Sequence, residues 1–374
     1  LSTAYYLLDS PFYKIMSQLQ PINIESFLMD GALCFMLFAG SCHFRLNDFI
    51  REAKVVGVYS FLATFLGAVI YGGIFYLFSY LFSLSLTLTE CLLLGSILSP
   101  TDPIAATSIL NRFGLPKRSG FIIEAESLLN DGVGVAVFVC FSGMVLAQGS
   151  ENQGFFAIMV HQLFGAGLIG FAVSLVCFQF LNREQDINQR IYISLLCVSS
   201  SYMLCQYFDC SGAIASVVCG VMFSTIREKQ GEEAQCSYAS FDVCWQAIDH
   251  FLNSVLYVIM GLSVLLIFKI PGVLLICFAA VLSNLAGRGG SVYLCSFLIG
   301  KIPDGFTRNG FTVLLTWGGL RGGLCIALAM STKSMLTPEH FQIVMCSTYA
   351  LVFFTTVVQG LSLRQIYDRL KKDA

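Results

Sequence analysis

Residues 91–110 read CLLLGSILSPTDPIAATSIL, an apolar run long enough to cross a lipid bilayer, with a polar interruption at its centre. Pro100 and Pro103 lack backbone N–H donors, so a helix that passes through them loses hydrogen bonds. Freed carbonyl groups are tolerated at membrane depth only where protein or water satisfies them. A loop turn with Asp102 as an N-cap is the alternative, but apolar residues flank the motif on both sides. We therefore predict a discontinuous membrane helix, of the kind found in transporters.

The whole chain shares this apolar character. It has 374 residues, of which 56% are hydrophobic and 12% are charged, with a mean hydropathy of +0.76 and a net charge of −2. About half of the usual charged fraction is missing, which excludes a soluble enzyme and a disordered chain, and no basic face is available for nucleic acid. The 15 cysteines are scattered without a CxxC pair and are interpreted as apolar filling. We expect an all-α polytopic membrane protein that is not an enzyme and uses no cofactor.

About eleven apolar segments follow one another along the chain, separated by short polar loops. Basic residues concentrate in loops that stay in the cytoplasm. Sixteen of the 21 Lys and Arg residues fall on one side of the predicted membrane, against three on the other. We therefore expect a multi-pass protein of the plasma (inner) membrane, with its C-terminus in the cytoplasm and Leu1 outside. The predicted spans cover residues 24–43, 55–82, 89–110, 120–147, 154–181, 191–208, 211–226, 246–268, 271–300, 310–332 and 340–362.

The fourth span carries the motif Glu126-Ser127-Leu128-Leu129-Asn130-Asp131. Its polar residues are separated by four positions (126 and 130, 127 and 131), which places them along one stripe of a helix. A charge at this depth costs about 2.5–3.5 kcal/mol and is by default a functional candidate. Such oxygens suit a small hard cation, and burial also favours a protonated carboxyl group. One carboxylate that binds either a cation or a proton is sufficient for exchange. A polar cluster that only joins helices is the alternative.

A second interruption lies in the tenth span, where residues 317–323 read WGGLRGG. Four glycines weaken the helix and let another backbone approach closely. The third span runs from outside to inside and the tenth runs the other way. Two interrupted helices of opposite direction indicate an inverted-repeat transporter. Arg321 in this break and Arg288 in the ninth span are candidate partners for the carboxylates; snorkelling of either side chain to the membrane surface is the alternative.

Three motifs together resemble one family. The sequences Thr101-Asp102-Pro103, residues 126–131 and Gly-Gly-Leu-Arg-Gly at 318–322 are similar to those of monovalent cation (sodium)/proton antiporters of the NhaP/NHE type. The resemblance extends from about residue 24 to about residue 362. Members of that family typically have thirteen helices, so this chain is expected to lack the first two. The resemblance implies a NhaA-like inverted-repeat fold with two discontinuous crossing helices.

The resemblance also implies a role for each motif residue. Asp131 would be the carboxylate that binds the cation and the proton, and Asn130 occupies the place of a second aspartate in electrogenic relatives. Na⁺ would be held through Asp131, Thr101 and Ser127, with Asp102 close to the ion. Because Asn130 cannot titrate, only Asp131 of the pair changes charge, which predicts electroneutral exchange of one Na⁺ (or Li⁺) for one H⁺.

The remaining implications concern architecture. Glu126 would form a structural ion pair with Arg288, and Arg321 would belong to the second crossing helix. The resemblance implies one transmembrane domain over residues 1–374, with core helices at about 55–147 and 271–362 and dimerisation or linker helices at about 24–43 and 154–268. It further implies a homodimer in contact with membrane lipid, elevator-like movement of the core and a role in pH regulation.

Two other activities remain open from the residues alone. A potassium/proton antiporter on the same fold is the closer alternative, because cavity size and oxygen count determine selectivity and neither is visible in a sequence. An intramembrane aspartyl protease that uses Asp102 and Asp131 is more distant, because neither aspartate follows the Tyr or Gly-x-Gly of such motifs. No repeated carbonyl filter of a channel is present in the sequence.

Overall fold

A computed structural model of the chain describes residues 31–44, 46–102, 110, 114–146, 154–181, 186–229, 232–263, 272–300 and 306–372. Within these ranges the chain is helical and contains no β-strand. In chain order the helices are α1 (Leu33–Ser41), α2 (Leu46–Gly57), α3 (Thr64–Leu81), α4 (Leu88–Ile97), α5 (Lys117–Leu146), α6 (Phe155–Val160), α7 (Ala166–Leu181), α8 (Ile187–Tyr207), α9 (Gly212–Lys229), α10 (Glu232–Ser263), α11 (Val273–Ser296), α12 (Arg308–Gly318), α13 (Gly323–Ser331), α14 (Pro338–Phe353) and α15 (Gly360–Lys372). The described residues therefore have the all-helical architecture that the sequence predicts.

Several of these helices are continuous with their neighbours. Short π-helical stretches join α2 to α3 at Val58–Ala63, α6 to α7 at His161–Gly165 and α14 to α15 at Phe354–Gln359. A π-helical turn contains about one residue more than an α-helical turn, and it occurs within helices that are otherwise continuous. Each joined pair thus forms one long helical element.

The number of membrane spans differs from the prediction. In the described part of the chain, five helical elements are long and apolar enough to cross a membrane, and the bent pair α12–α13 makes a sixth. Helix α4 and residues 212–225 of α9 are apolar but shorter, so the count of eleven is not confirmed. Two helices also begin well before the predicted spans, at Leu46 and at Glu232, because hydropathy detects only the apolar part of a helix. Residues 24–30 of the first predicted span lie outside the described ranges.

Two groups of helices each surround an apolar core, and a third apolar core joins residues of both groups with α2, α12 and α15. Helices α3, α4, α5, α11, α13 and α14 surround one apolar core, which includes Phe75, Leu94, Val137 and Val344. Helices α1, α7, α8, α9 and α10 surround another, centred on Trp245. Helix α1 packs against α9 and α10 within the second group, and it also contacts α5 of the first group.

The two predicted interruptions meet inside the first group. Helix α4 ends at Ile97, and residues 99–102 continue as non-helical chain; residues 103–109 lie outside the described ranges. Helices α12 and α13 are bent by 60° where residues 319–322 leave the helix. The backbone N–H of Asp102 donates to the carbonyl of Leu320 at 2.7 Å, and a Cβ on Gly322 would lie only 3.1 Å from the Asp102 Cβ. Glycine at this position therefore allows the two interrupted segments to cross in contact.

Candidate functional site

A buried polar cluster joins the first interruption to α5. The side-chain amide of Asn130 donates to Thr101 Oγ1 at 2.6 Å, and its oxygen accepts the Thr101 backbone N–H at 3.1 Å. Thr101 Oγ1 is also 3.0 Å from Ser127 Oγ. All three side chains are buried. The cluster therefore fixes the backbone of the interrupted segment against α5 by hydrogen bonds between buried groups.

Glu126 and Arg288 form an ion pair beside this cluster. Arg288 Nη2 lies 2.9 Å from Glu126 Oε1 and 3.1 Å from Oε2, and the side chains are only 5% and 1% exposed. The Asn130 amide donates to Glu126 Oε1 at 3.0 Å as well. The Glu126 carboxylate thus accepts hydrogen bonds from one charged donor and one neutral donor. The ion pair therefore connects α5 to α11 and satisfies Glu126 within the protein.

Arg321 satisfies backbone carbonyl groups rather than a carboxylate. Its Nη1 donates to the carbonyl of Ser99 and, at 2.7 Å, to that of Pro100, and its Nη2 donates to Asn284 Oδ1 at 2.9 Å. These carbonyls follow the C-terminal end of α4, where a helix carries partial negative charge. Arg321 is 4% exposed, so its side chain does not reach the surface of the protein. It compensates the hydrogen bonds that the prolines remove from the first interruption.

Asp131 and Asp102 both line a cavity beside these networks. The cavity has a volume of about 440 Å³ and lies between α1 and α10 on one side and α5, α13 and the first interruption on the other. Both aspartates and Thr101 line it, whereas Asn130 and Ser127 lie behind Thr101. The charges acting most strongly on the Asp131 carboxylate are the negative Asp102 and Glu126 and the positive Arg321.

The opposite wall of the cavity was not predicted. Helix α10 contributes Gln246, Asp249, His250 and Asn253, and the Asn253 amide donates to Asp249 at 3.1 Å. These residues recur at steps of three and four, so they share one face of the helix. The sequence contains this polar stripe within the predicted span 246–268, and its periodicity was the available signal. Part of the cavity wall is apolar and comes from α1.

The geometry separates the five predicted residues of the ion site, together with Glu126 of the ion pair, into two sets. Asp131, Asp102 and Thr101 reach the cavity, where a hydrated ion has room. Asn130, Ser127 and Glu126 form hydrogen bonds inside the protein. A cavity lined by three carboxylates, those of Asp102, Asp131 and Asp249, can accept a hard cation or a proton.

Comparison with known proteins identifies the family. The sequence profile described as "Sodium/hydrogen exchanger, transmembrane" matches residues 8–369. The chain is 28% identical to the Na⁺/H⁺ antiporter NhaP of Pseudomonas aeruginosa, over 98% of this chain and 85% of that protein. It is 30% identical to the Na⁺/H⁺ antiporter NhaH of Halobacillus aidingensis, over 86% of this chain and 77% of that protein.

A solved structure supports the same fold. The sodium proton antiporter MjNhaP1 from Methanocaldococcus jannaschii superimposes with a TM-score of 0.77, over 98% of this chain and 89% of that one, at 18% sequence identity. The predicted all-α antiporter fold and the predicted family are both confirmed. With a family profile that spans nearly its whole length, this chain belongs to the sodium/hydrogen exchanger family of multi-pass membrane transporters.

Proposed function

We propose that this chain exchanges Na⁺ (or Li⁺) for H⁺ across the membrane with a 1:1, electroneutral stoichiometry. Asp131 binds the cation and the proton alternately. The observation that supports this most directly is the different surroundings of two adjacent residues. The Asp131 side chain lines the cavity, whereas the uncharged Asn130 is buried in hydrogen bonds with Thr101 and Glu126.

The charge balance follows from the surroundings of each carboxylate. Glu126 is held by Arg288 and Asn130, so protonating it would leave a buried guanidinium without its counter-charge. Asn130 has no titrating group. Asp102 and Asp249 line the same cavity as Asp131, so the proposed stoichiometry requires that the charges of both stay constant through the cycle. One negative site then carries one Na⁺ or one H⁺ in each direction, and no net charge moves.

The ligands of the cation are part of the same proposal. Asp131 and Thr101 are proposed to bind Na⁺ directly from the cavity, with Asp102 close to the ion. Ser127 shares a hydrogen bond with Thr101 Oγ1 at 3.0 Å, so it contributes a ligand only if that bond opens. Asn130 acts by holding Thr101 in place.

Alternating access would use the boundary between the two helix groups. The cavity lies along this boundary, with α1 and α10 on one side and α5 and α13 on the other. We propose that the group containing Asp131 moves relative to the other in an elevator-like manner, within a homodimer that contacts membrane lipid through its apolar surface. The excess of basic residues in one set of loops supports a C-terminus in the cytoplasm.

The test is proton flux in vesicles reconstituted with the full chain and given a pH gradient. Na⁺, Li⁺ and K⁺ are added separately, with and without a clamped membrane potential. The proposal expects dissipation of the gradient by Na⁺ or Li⁺ that does not depend on potential and is lost in Asp131→Asn, while the melting temperature of that variant is retained. Dissipation by K⁺ alone would favour potassium/proton exchange, and retained transport in Asp131→Asn would refute the role of Asp131.

A further inference from the structure

A second, much smaller cavity lies behind the ion pair. It is enclosed by α3, α4, α11 and the interruption between α12 and α13, and its volume is about 10 Å³. It shares no lining residue with the cavity that contains Asp131. A buried water molecule needs about 10–15 Å³ measured in this way, together with two to four polar partners. The volume is thus that of a single water molecule.

Four side chains that line this cavity each have a buried polar atom without a hydrogen-bond partner in the protein. These atoms are Thr64 Oγ1, the Tyr71 hydroxyl oxygen, Arg288 Nε and Arg321 Nε. The side chains are 2%, 3%, 5% and 4% exposed, respectively. Buried polar groups in folded proteins nearly always have a partner, and an unpaired donor on a charged group is especially costly. Four unpaired groups around one small cavity therefore indicate a bound polar molecule.

Three of the four terminal nitrogens of the two guanidinium groups donate to oxygens of the protein. Arg288 Nη2 donates to Glu126, and Arg321 uses both terminal nitrogens on carbonyl oxygens and on Asn284. Each Nε–H remains as a donor. A water molecule has two lone pairs and two hydrogens, so it can accept from both Nε–H groups and donate to the oxygens of Thr64 and Tyr71.

We propose that one water molecule occupies this cavity and bridges Arg288, Arg321, Thr64 and Tyr71. The water joins Arg288 of the ion pair to Arg321, which satisfies the carbonyls of the first interruption. The two hydrogens of the water are donated to hydroxyl oxygens on α3. A halide ion could also accept from the two guanidinium groups and the two hydroxyls, but it is larger than water, and the cavity volume is only about 10 Å³. The assignment rests on packing and hydrogen bonding and is independent of which cation the protein exchanges.

The direct test is an experimental structure of the full chain at a resolution that reveals ordered water, determined in chloride and again in bromide buffer. We expect a density peak within hydrogen-bond distance of both Nε atoms that carries no bromide signal. A map that shows other buried waters but no peak here would overturn the proposal. A bromide signal at the peak would also overturn it, by assigning the site to an anion.

Two variants test the same proposal by stability. Removing a buried hydroxyl that truly lacks a partner is neutral or stabilising, whereas removing one that holds the water is destabilising. Thr64→Val and Tyr71→Phe are therefore expected to lower the melting temperature by about 2 °C or more. Ser347→Ala is the control, because the Ser347 hydroxyl is also buried without a partner but does not line this cavity. Unchanged or raised melting temperatures in both cavity variants would contradict the proposal.

Discussion

At the scale of single residues, the site depends on the neighbours Asn130 and Asp131. Successive residues of a helix point about 100° apart, so one step along α5 changes the environment from a buried hydrogen-bond network to an open cavity. The sequence predicted the four-residue spacing that places Asn130 beside Glu126. It did not predict which side chains reach the cavity, because that depends on the packing of α1, α10 and α13 around α5.

A charge at position 130 tests the proposed stoichiometry. Asn130→Asp adds a carboxylate beside Glu126 and Thr101, where the wild-type amide donates to both. If the new carboxylate titrates, each cycle moves an additional charge, and exchange is expected to respond to an imposed membrane potential. Flux in reconstituted vesicles at several clamped potentials measures this response.

The control for that variant is Asn130→Ala, which removes the same hydrogen bonds without adding a charge. It is expected to exchange more slowly and to remain insensitive to potential. Active Asn130→Asp protein with potential-independent exchange would show that position 130 does not control the charge balance.

The ion pair can be tested by stability. Glu126→Gln leaves the Arg288 guanidinium buried without a counter-charge, and breaking a buried pair in this way costs about 3–5 kcal/mol. Glu52→Gln is a matched comparison, because Glu52 is also buried and lies 2.7 Å from Arg118 Nε, but its arginine partners are more exposed: Arg118 is 30% exposed, and Arg51, at 4.0 Å, is 78% exposed. Thermal unfolding should therefore show a larger loss for Glu126→Gln. Equal melting temperatures of Glu126→Gln and the wild type would contradict the structural role.

At the scale of elements, the two interruptions were predictable but their contact was not. Prolines and glycines identify where α4 ends and where α12 gives way to α13. The guanidinium group that satisfies the freed carbonyl of Ser99 belongs to Arg321, which lies 222 positions later in the sequence. Local patterns give no information on such a distant partner. The sequence therefore predicted Arg321 as a residue of the second interrupted helix, and the structure adds its hydrogen-bond partners.

The close packing of α3 and α4 offers a test of the first interrupted helix. A Cβ on Gly95 would lie 2.2 Å from the carbonyl oxygen of Ala68, whereas a Cβ on Gly73 meets no atom within 4 Å. Gly95→Ala is therefore expected to lower stability by about 1–3 kcal/mol through overpacking. Gly73→Ala should leave stability unchanged or raise it by up to about 1 kcal/mol. Melting temperatures in the same detergent compare the two, and equal effects would contradict this packing.

At the scale of the whole molecule, composition and motifs were sufficient to predict the helical class and the family, because both follow from long apolar runs and short polar motifs. Helix boundaries were less predictable. The amphipathic Leu46–Gly57 and the polar start of α10 contain too many charges for a hydropathy window. The polar face of α10 that lines the cavity was not predicted, because it forms a cavity wall only together with α5 and α13 on the opposite side.

The central claim is that Asp131 binds a cation or a proton but never both. The most direct measurement is calorimetric titration of Na⁺ into the purified full chain, repeated in buffers of different ionisation enthalpy, to count the protons released per Na⁺ bound. The account predicts that this number approaches one as the pH is lowered, never exceeds it, and that Asp131→Asn shows no Na⁺-coupled proton release. Release of more than one proton, or release that persists in Asp131→Asn, would contradict the account.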